Sequence, residues 1–194
     1  MPACAKSGGM PRSPAAPLPS HGRVSMPRKR QSHEPGHRRK FLVVIDDTPE
    51  CDRAVYYAAR RAARTHGGVV MLSVLELADV QSQWLGVADL MRAEATDKAE
   101  AQLAHFAARA RLLSGMEPER VIREGKVADE ILKVIEADED IAILALAAGA
   151  GSEGPGPLVA MLAAGMGAGS WAHLPIPITI VPGALEDAEL DALA

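Results

Sequence analysis

A continuous apolar run, Ile141-Ala-Ile-Leu-Ala-Leu-Ala-Ala148, opens directly into Gly149-Ala-Gly151-Ser-Glu-Gly154-Pro-Gly156-Pro157, and this junction constrains the chain more than any other feature. Eight apolar residues without alternation suit a parallel strand covered on both faces. Glycines straight after such a strand let the backbone approach a ligand, and the helix that follows points its N-terminus at any anion held there. The junction therefore predicts a strand, a loop and a helix within an α/β sheet. The loop itself has two readings, a phosphate cradle or a tight turn in which glycine supplies positive φ.

Spacing separates the phosphate chemistries. A P-loop closes with Lys and then Ser or Thr, and no lysine follows Lys133, which excludes a Walker-type ATPase. Gly149-x-Gly151-x-x-Gly154 spells the dinucleotide fingerprint, but that motif opens a first βα unit and expects an acid about 20 residues on. Here the motif comes late, and no acid lies between Gly154 and Glu186. A longer pattern remains, in which Gly151-x2-Gly154 is followed by nine residues and the small pair Ala164-Gly165.

On that pattern the chain resembles the universal stress protein family, whose nucleotide-binding members carry Gly-x2-Gly-x9-Gly-(Ser/Thr) after the fourth strand. The resemblance runs from about Phe41 to Pro182. It takes in Phe41-Leu-Val-Val-Ile-Asp46 as first strand, Val70-Met-Leu-Ser-Val74 as second, and Leu174-Pro-Ile-Pro-Ile-Thr-Ile-Val181 as closing strand. It implies a single doubly wound α/β domain with a five-stranded, mainly parallel sheet of order 3-2-1-4-5 and helices on both faces. It also implies an adenine nucleotide site, with Asp46 and the backbone at Val74 on the base side and Gly151, Ser152, Gly154 and Gly165 on the phosphate side. The chain departs from the family pattern where Ala164 replaces the third glycine and Gly165 the hydroxyl residue. A hydroxyl there would contribute roughly 1.5–3 kcal/mol toward a phosphate.

Three functions follow from the resemblance. One is a small regulatory module that binds ATP, with magnesium, or another adenine nucleotide. The second is a nucleotide-independent dimeric partner or scaffold, and the third a slow ATP-hydrolysing or phosphotransfer enzyme. The closing apolar strand falls at a sheet edge, which leads to the expectation of a homodimer paired through it.

The net charge of −4 conceals a division. Residues 1–40 hold 9 Lys+Arg and one acid, a net +8, so residues 41–194 hold 12 bases and 24 acids, a net −12. The same forty residues hold 7 of the 14 prolines, a composition that buries too little apolar surface to offset ordering entropy. The expected organisation is a disordered basic tail over 1–40, the family domain over 41–183, and an acidic tail over 184–194. Arg28-Lys-Arg30 and Arg38-Arg-Lys40 offer charge to phosphates or acidic surfaces, but the tail has no aromatic residue for base stacking, so nucleic acid is not an expected partner. No run of 18 apolar residues and no signal-peptide core occur, which points to the cytoplasm.

Along the chain, Thr48 reads as a helix N-cap with Pro49 and Glu50 in the first turn, and His66-Gly67-Gly68 as a glycine stop. Helical spacing recurs from Val87 to Ser114 and at Val127, Ile131, Val134 and Ile135. A further helix is expected over Leu158–Trp171. Asp46 has a second reading as a turn acid. Cys51 reads either as a thiol activated by a helix dipole or as a small buried hydrophobe. His33 and His37 have ligand spacing but lie in the proline-rich tail, and no residue pattern marks a catalytic nucleophile or base.

Overall fold

Along β1 (Lys40–Val44), Phe41, Val43 and the following Ile45 belong to one apolar cluster, and Leu42 and Val44 to another. Side chains alternate along a strand, so a strand apolar in both sets has to be covered on both faces. The computed structural model, which describes residues 29–76, 85–152, 154–165 and 174–194, shows that covering. α1 (Cys51–Thr65) and α2 (Leu85–Ser114) lie over the first cluster through Val55, Ala58, Ala62, Leu103 and Ala107. α3 (Val127–Ala137) and α4 (Pro157–Gly165) lie over the second through Ile131, Val134, Ile135, Val159 and Leu162.

The remaining strands are β2 (Gly68–Leu75), β3 (Glu119–Glu124), β4 (Ile141–Ala148) and β5 (Ile178–Pro182). They form one sheet of order β3-β2-β1-β4-β5, and every neighbouring pair is parallel. The chain order reverses between β1 and β4, where a parallel α/β sheet opens a crevice at the strands' carboxyl ends. Among the described residues no helix is long and apolar enough to cross a membrane.

The structure corrects several local readings. Thr48 does not cap α1, because its N–H and hydroxyl both donate to Asp46 Oδ1, at 3.1 and 2.6 Å, and the helix starts at Cys51. His66, with φ 51°, takes the left-handed turn after α1. Glycine is needed one residue later for space, since a Cβ on Gly67 would lie 2.6 Å from the Arg39 carbonyl oxygen. The closing strand is shorter than its apolar run, and the expected helix beyond Gly165 lies outside the described residues.

The two segments read as tails also differ from expectation. Residues 184–194 include a helix, α5 (Asp187–Leu193), whose Leu190 is fully buried against Tyr56 and Val181. Its carboxylates face arginines of α1: Asp191 accepts from Arg60 at 2.7 Å and from the Tyr56 hydroxyl at 3.0 Å, and Asp187 accepts from Arg53 at 2.7 Å. At the other terminus, residues just upstream of Lys40 are bonded to the rest of the domain. Arg30 donates to the carbonyls of Ile135 and Asp138, at 2.6 and 2.9 Å, which supplies a cation to the C-terminal end of α3. His37 meets Asp140 at 2.6 Å, and Lys40 lies 2.8 Å from both Asp138 and Glu119. In each case a charged segment met its complement about a hundred residues away, which local composition does not register.

Candidate functional site

The crevice between β1 and β4 consists of two adjoining hollows that share Pro157, the first residue of α4. The first, of about 520 Å³, is walled by the ends of β1 and β2 and by one side of α2. Asp46, Val74, Glu76, Ala99, Val127 and Met161 are among its lining residues. Its walls are mainly apolar with carboxylates at the rim, a lining suited to a flat heterocycle with a few polar contacts. Asp46 has one oxygen tied into the Thr48 turn. The neighbouring Asp47 accepts from Lys98 and Gln102 of α2, and those two bonds hold its carboxyl below the usual carboxylate range.

The second hollow, of about 700 Å³, lies between the start of α1 and the loop after β4. The loop is folded tightly on itself, with Gly149 N–H donating to the Pro155 carbonyl at 3.2 Å. Gly154 and Gly156 have φ of 96° and 88°, a region that side chains other than glycine rarely adopt. Gly149 is needed for another reason, since a Cβ there would lie 2.9 Å from the Gly154 carbonyl oxygen. Pro157 sits at the first helical position, where its fixed φ suits the turn into α4 and its missing N–H costs no helical bond.

Four of the six residues read from sequence line this crevice, two in each hollow: Asp46 and Val74 in the first, Gly151 and Gly154 in the second. Ser152 is exposed and Gly165 ends α4, and both fall outside the described lining of either hollow. The alternative glycine–hydroxyl pair, Gly169-Ser170, lies outside the described residues.

Sequence reading missed Glu50, Arg53 and Lys98. Glu50 had the appearance of an ordinary first-turn acid, but its carboxylate turns into the glycine loop. Cβ atoms built on Gly149 and Gly156 would lie 3.2 and 3.4 Å from the same oxygen, Oε1. Among the described residues that carboxylate receives no hydrogen bond or ion pair. Arg53 lines the same hollow but is drawn away from it, donating to the Leu185 carbonyl at 3.1 Å, to Asp187, and to Asp52. Burial opposes its charge, but the carboxylates of Asp52 and Asp187 outweigh that and keep it protonated.

Cys51 is buried, 3% exposed, with its thiol 3.7 Å from the Val44 carbonyl oxygen. Burial, reinforced by nearby carboxylates, pushes its pKa up to about 12, and the side chain packs in the first apolar cluster as a small hydrophobe.

A strand-end aspartate and a glycine loop facing each other across a 3-2-1-4-5 sheet invite comparison with proteins of known structure. A universal stress protein from Lactobacillus plantarum superposes with a TM-score of 0.62 at 15% identity, covering 74% of this chain and 97% of its own. One from Archaeoglobus fulgidus gives 0.53 at 14% identity over 74% and 93% of the two chains. A universal stress protein in complex with cAMP gives 0.53 at 17% identity over 74% and 96%. No curated protein sequence matches the chain. The model of the universal stress protein family matches residues 37–161, well over half of the sequence, and the chain belongs to that family.

Proposed function

We propose that the protein is a small regulatory module that binds an adenine nucleotide in the crevice between β1 and β4. The base lies against Asp46 and Val74, and the phosphate end points toward Gly151 and Gly154. One observation carries this reading: residues more than a hundred positions apart, Asp46 and the Gly151–Gly154 loop, line two hollows that meet at Pro157. The similar structure solved with cAMP supports the adenine assignment. Where ATP is the ligand, magnesium accompanies it. Among the described lining residues no carboxylate is paired with a second group in the manner of a general base, and the reading is one of binding.

The same reading includes a cytoplasmic homodimer formed through β5. That strand stands at the sheet edge with Ile180 48% exposed, and pairing with a second copy would satisfy its open N–H and C=O groups. A second reading, a partner protein that needs no nucleotide, is favoured by one feature, the Glu50 carboxylate set against the glycine loop.

Calorimetric titration with AMP and GMP tests the nucleotide reading. The wild-type protein is expected to bind AMP at least about tenfold more tightly than GMP, and Asp46→Ala to lose most of that binding. Equal affinity for the two bases, or binding untouched by Asp46→Ala, would sink it.

A further inference from the structure

We infer that this crevice admits an adenine nucleoside monophosphate and rejects the triphosphate, and that Glu50 sets the limit. The inference rests on the adenine reading above and adds the phosphorylation state of the ligand. Its central observation is the position of the Glu50 carboxylate. Oε1 lies within 3.2 and 3.4 Å of where Cβ atoms of Gly149 and Gly156 would be, and Glu50 Cβ lies 3.1 Å from that of Gly183. These three glycines come from the end of β4, the loop, and the turn after β5. Together they leave a concavity, and an anionic side chain of this chain occupies it.

A glycine loop binds phosphate by offering free N–H groups and a helix N-terminus to oxygen atoms. In this loop Pro155 and Pro157 have no N–H and the N–H of Gly149 is spent on the Pro155 carbonyl, which leaves Gly151, Ser152 and Gly154 as donors. The Glu50 carboxylate lies against the loop at the wall of this hollow, and its charge has the wrong sign for a neighbouring phosphate.

Nor do the described lining residues include an unpaired cation to compensate. Among the described residues, Arg53 and Lys98 are the cations that line the two hollows. Lys98 is paired with Asp47, and Arg53 with Asp52 and Asp187. The first hollow adds Asp46 and Glu76, so the crevice as a whole is acidic. A single phosphate can remain at the open mouth near Pro157. Each further phosphate has to move into the second hollow beside Glu50, where the lining cation Arg53 is already paired with carboxylates.

Titration of AMP and ATP, in magnesium-containing buffer, into the full-length wild type, Glu50→Gln and Glu50→Ala tests the inference. Gln keeps the shape and removes the charge, whereas Ala empties the concavity. A melting curve on each variant confirms that it is folded. The wild type is expected to bind AMP at least about tenfold more tightly than ATP, and both variants to close that gap by tightening ATP while AMP changes by less than about threefold. A wild type that binds ATP as tightly as AMP overturns the inference and leaves the adenine reading standing. So does a gap that survives in both variants while AMP binds normally. Absence of adenine binding in all three proteins removes both readings together.

Discussion

At the amino end of the sheet Lys40 lies between Asp138 and Glu119, and His37 meets Asp140, whereas at the carboxyl end Asp46, Glu50 and Glu76 border an open crevice. The residue types are the same and their situations are opposite. At the amino end Asp138 and Glu119 share Lys40, the first residue of β1, and Asp140 bonds to His37 just before it. At the carboxyl end Asp46 accepts only from its own turn, Glu76 from the Val127 N–H, and Glu50 from no described residue. Unpaired acids beside a cavity contribute little to stability and much to what the cavity accepts. Paired ones do the reverse, so the two ends divide holding from binding.

The strongest way to break this contrast is to release Arg53, the cation that α5 keeps from the glycine loop. Leu190 is fully buried and anchors α5, and Leu190→Ala is expected to cost about 2–4 kcal/mol by denaturant unfolding. The same change loosens Asp187 from Arg53 and should narrow the preference for AMP over ATP. An unchanged midpoint would mean that α5 is not held by its apolar contact.

A smaller effect sharpens the contrast directly. Lys40→Ala leaves Asp138 and Glu119 without their shared partner and should destabilise by about 1–2 kcal/mol, while AMP affinity stays the same. Glu50→Gln should change stability by less than about 0.5 kcal/mol, because no described partner is lost. Equal stability losses in the two variants would erase the distinction between the ends.

The smallest effect is in pH dependence, where the ends should fail in opposite directions. Burial opposes the charge on Lys40, but bonds to Asp138 and Glu119 outweigh it and raise its pKa above 10.5. Its contribution is therefore complete below 10.5 and lost as pH rises through the raised value. Asp47 is the inverse case. Lys98 and then Gln102 lower it from 3.8, so its contribution is present above 3.8 and lost as pH falls through the depressed value. Melting temperatures across pH should show a flatter alkaline limb in Lys40→Met and a flatter acid limb in Asp47→Asn. The opposite assignment, or no change in either limb, would contradict these pairings.

The strands and helices that carry the core were legible because their signals are local. The apolar run at Ile141–Ala148 and the spacing of Ile131, Val134 and Ile135 each report burial without reference to any other segment. The strand order came from family resemblance, since periodicity identifies strands but not their neighbours. What escaped was set by distant charge. α5 has one deeply buried apolar anchor among three acids, and its arginine partners in α1 stand 127 to 134 positions earlier in sequence. In the crevice, Asp46 and the glycines were found through their motif. Glu50 was not, because a first-turn acid and an acid that fills a loop are the same residue until the loop is folded against it.

The place of β1 in the sheet has a consequence for synthesis. β1 is the central strand, yet its two neighbours are made at very different times: β2 begins at Gly68, but β4 begins only at Ile141. About 100 residues separate β1 from the strand that closes its second edge, so at ~5–20 residues per second the ribosome needs about 5–20 s to supply it. Throughout that interval the nascent chain carries a half-finished sheet with Phe41–Val44 open along one side, a row of unpaired backbone groups flanked by apolar side chains. The product would thus be most exposed to aggregation before the ligand crevice, which needs both β1 and β4, has come into existence.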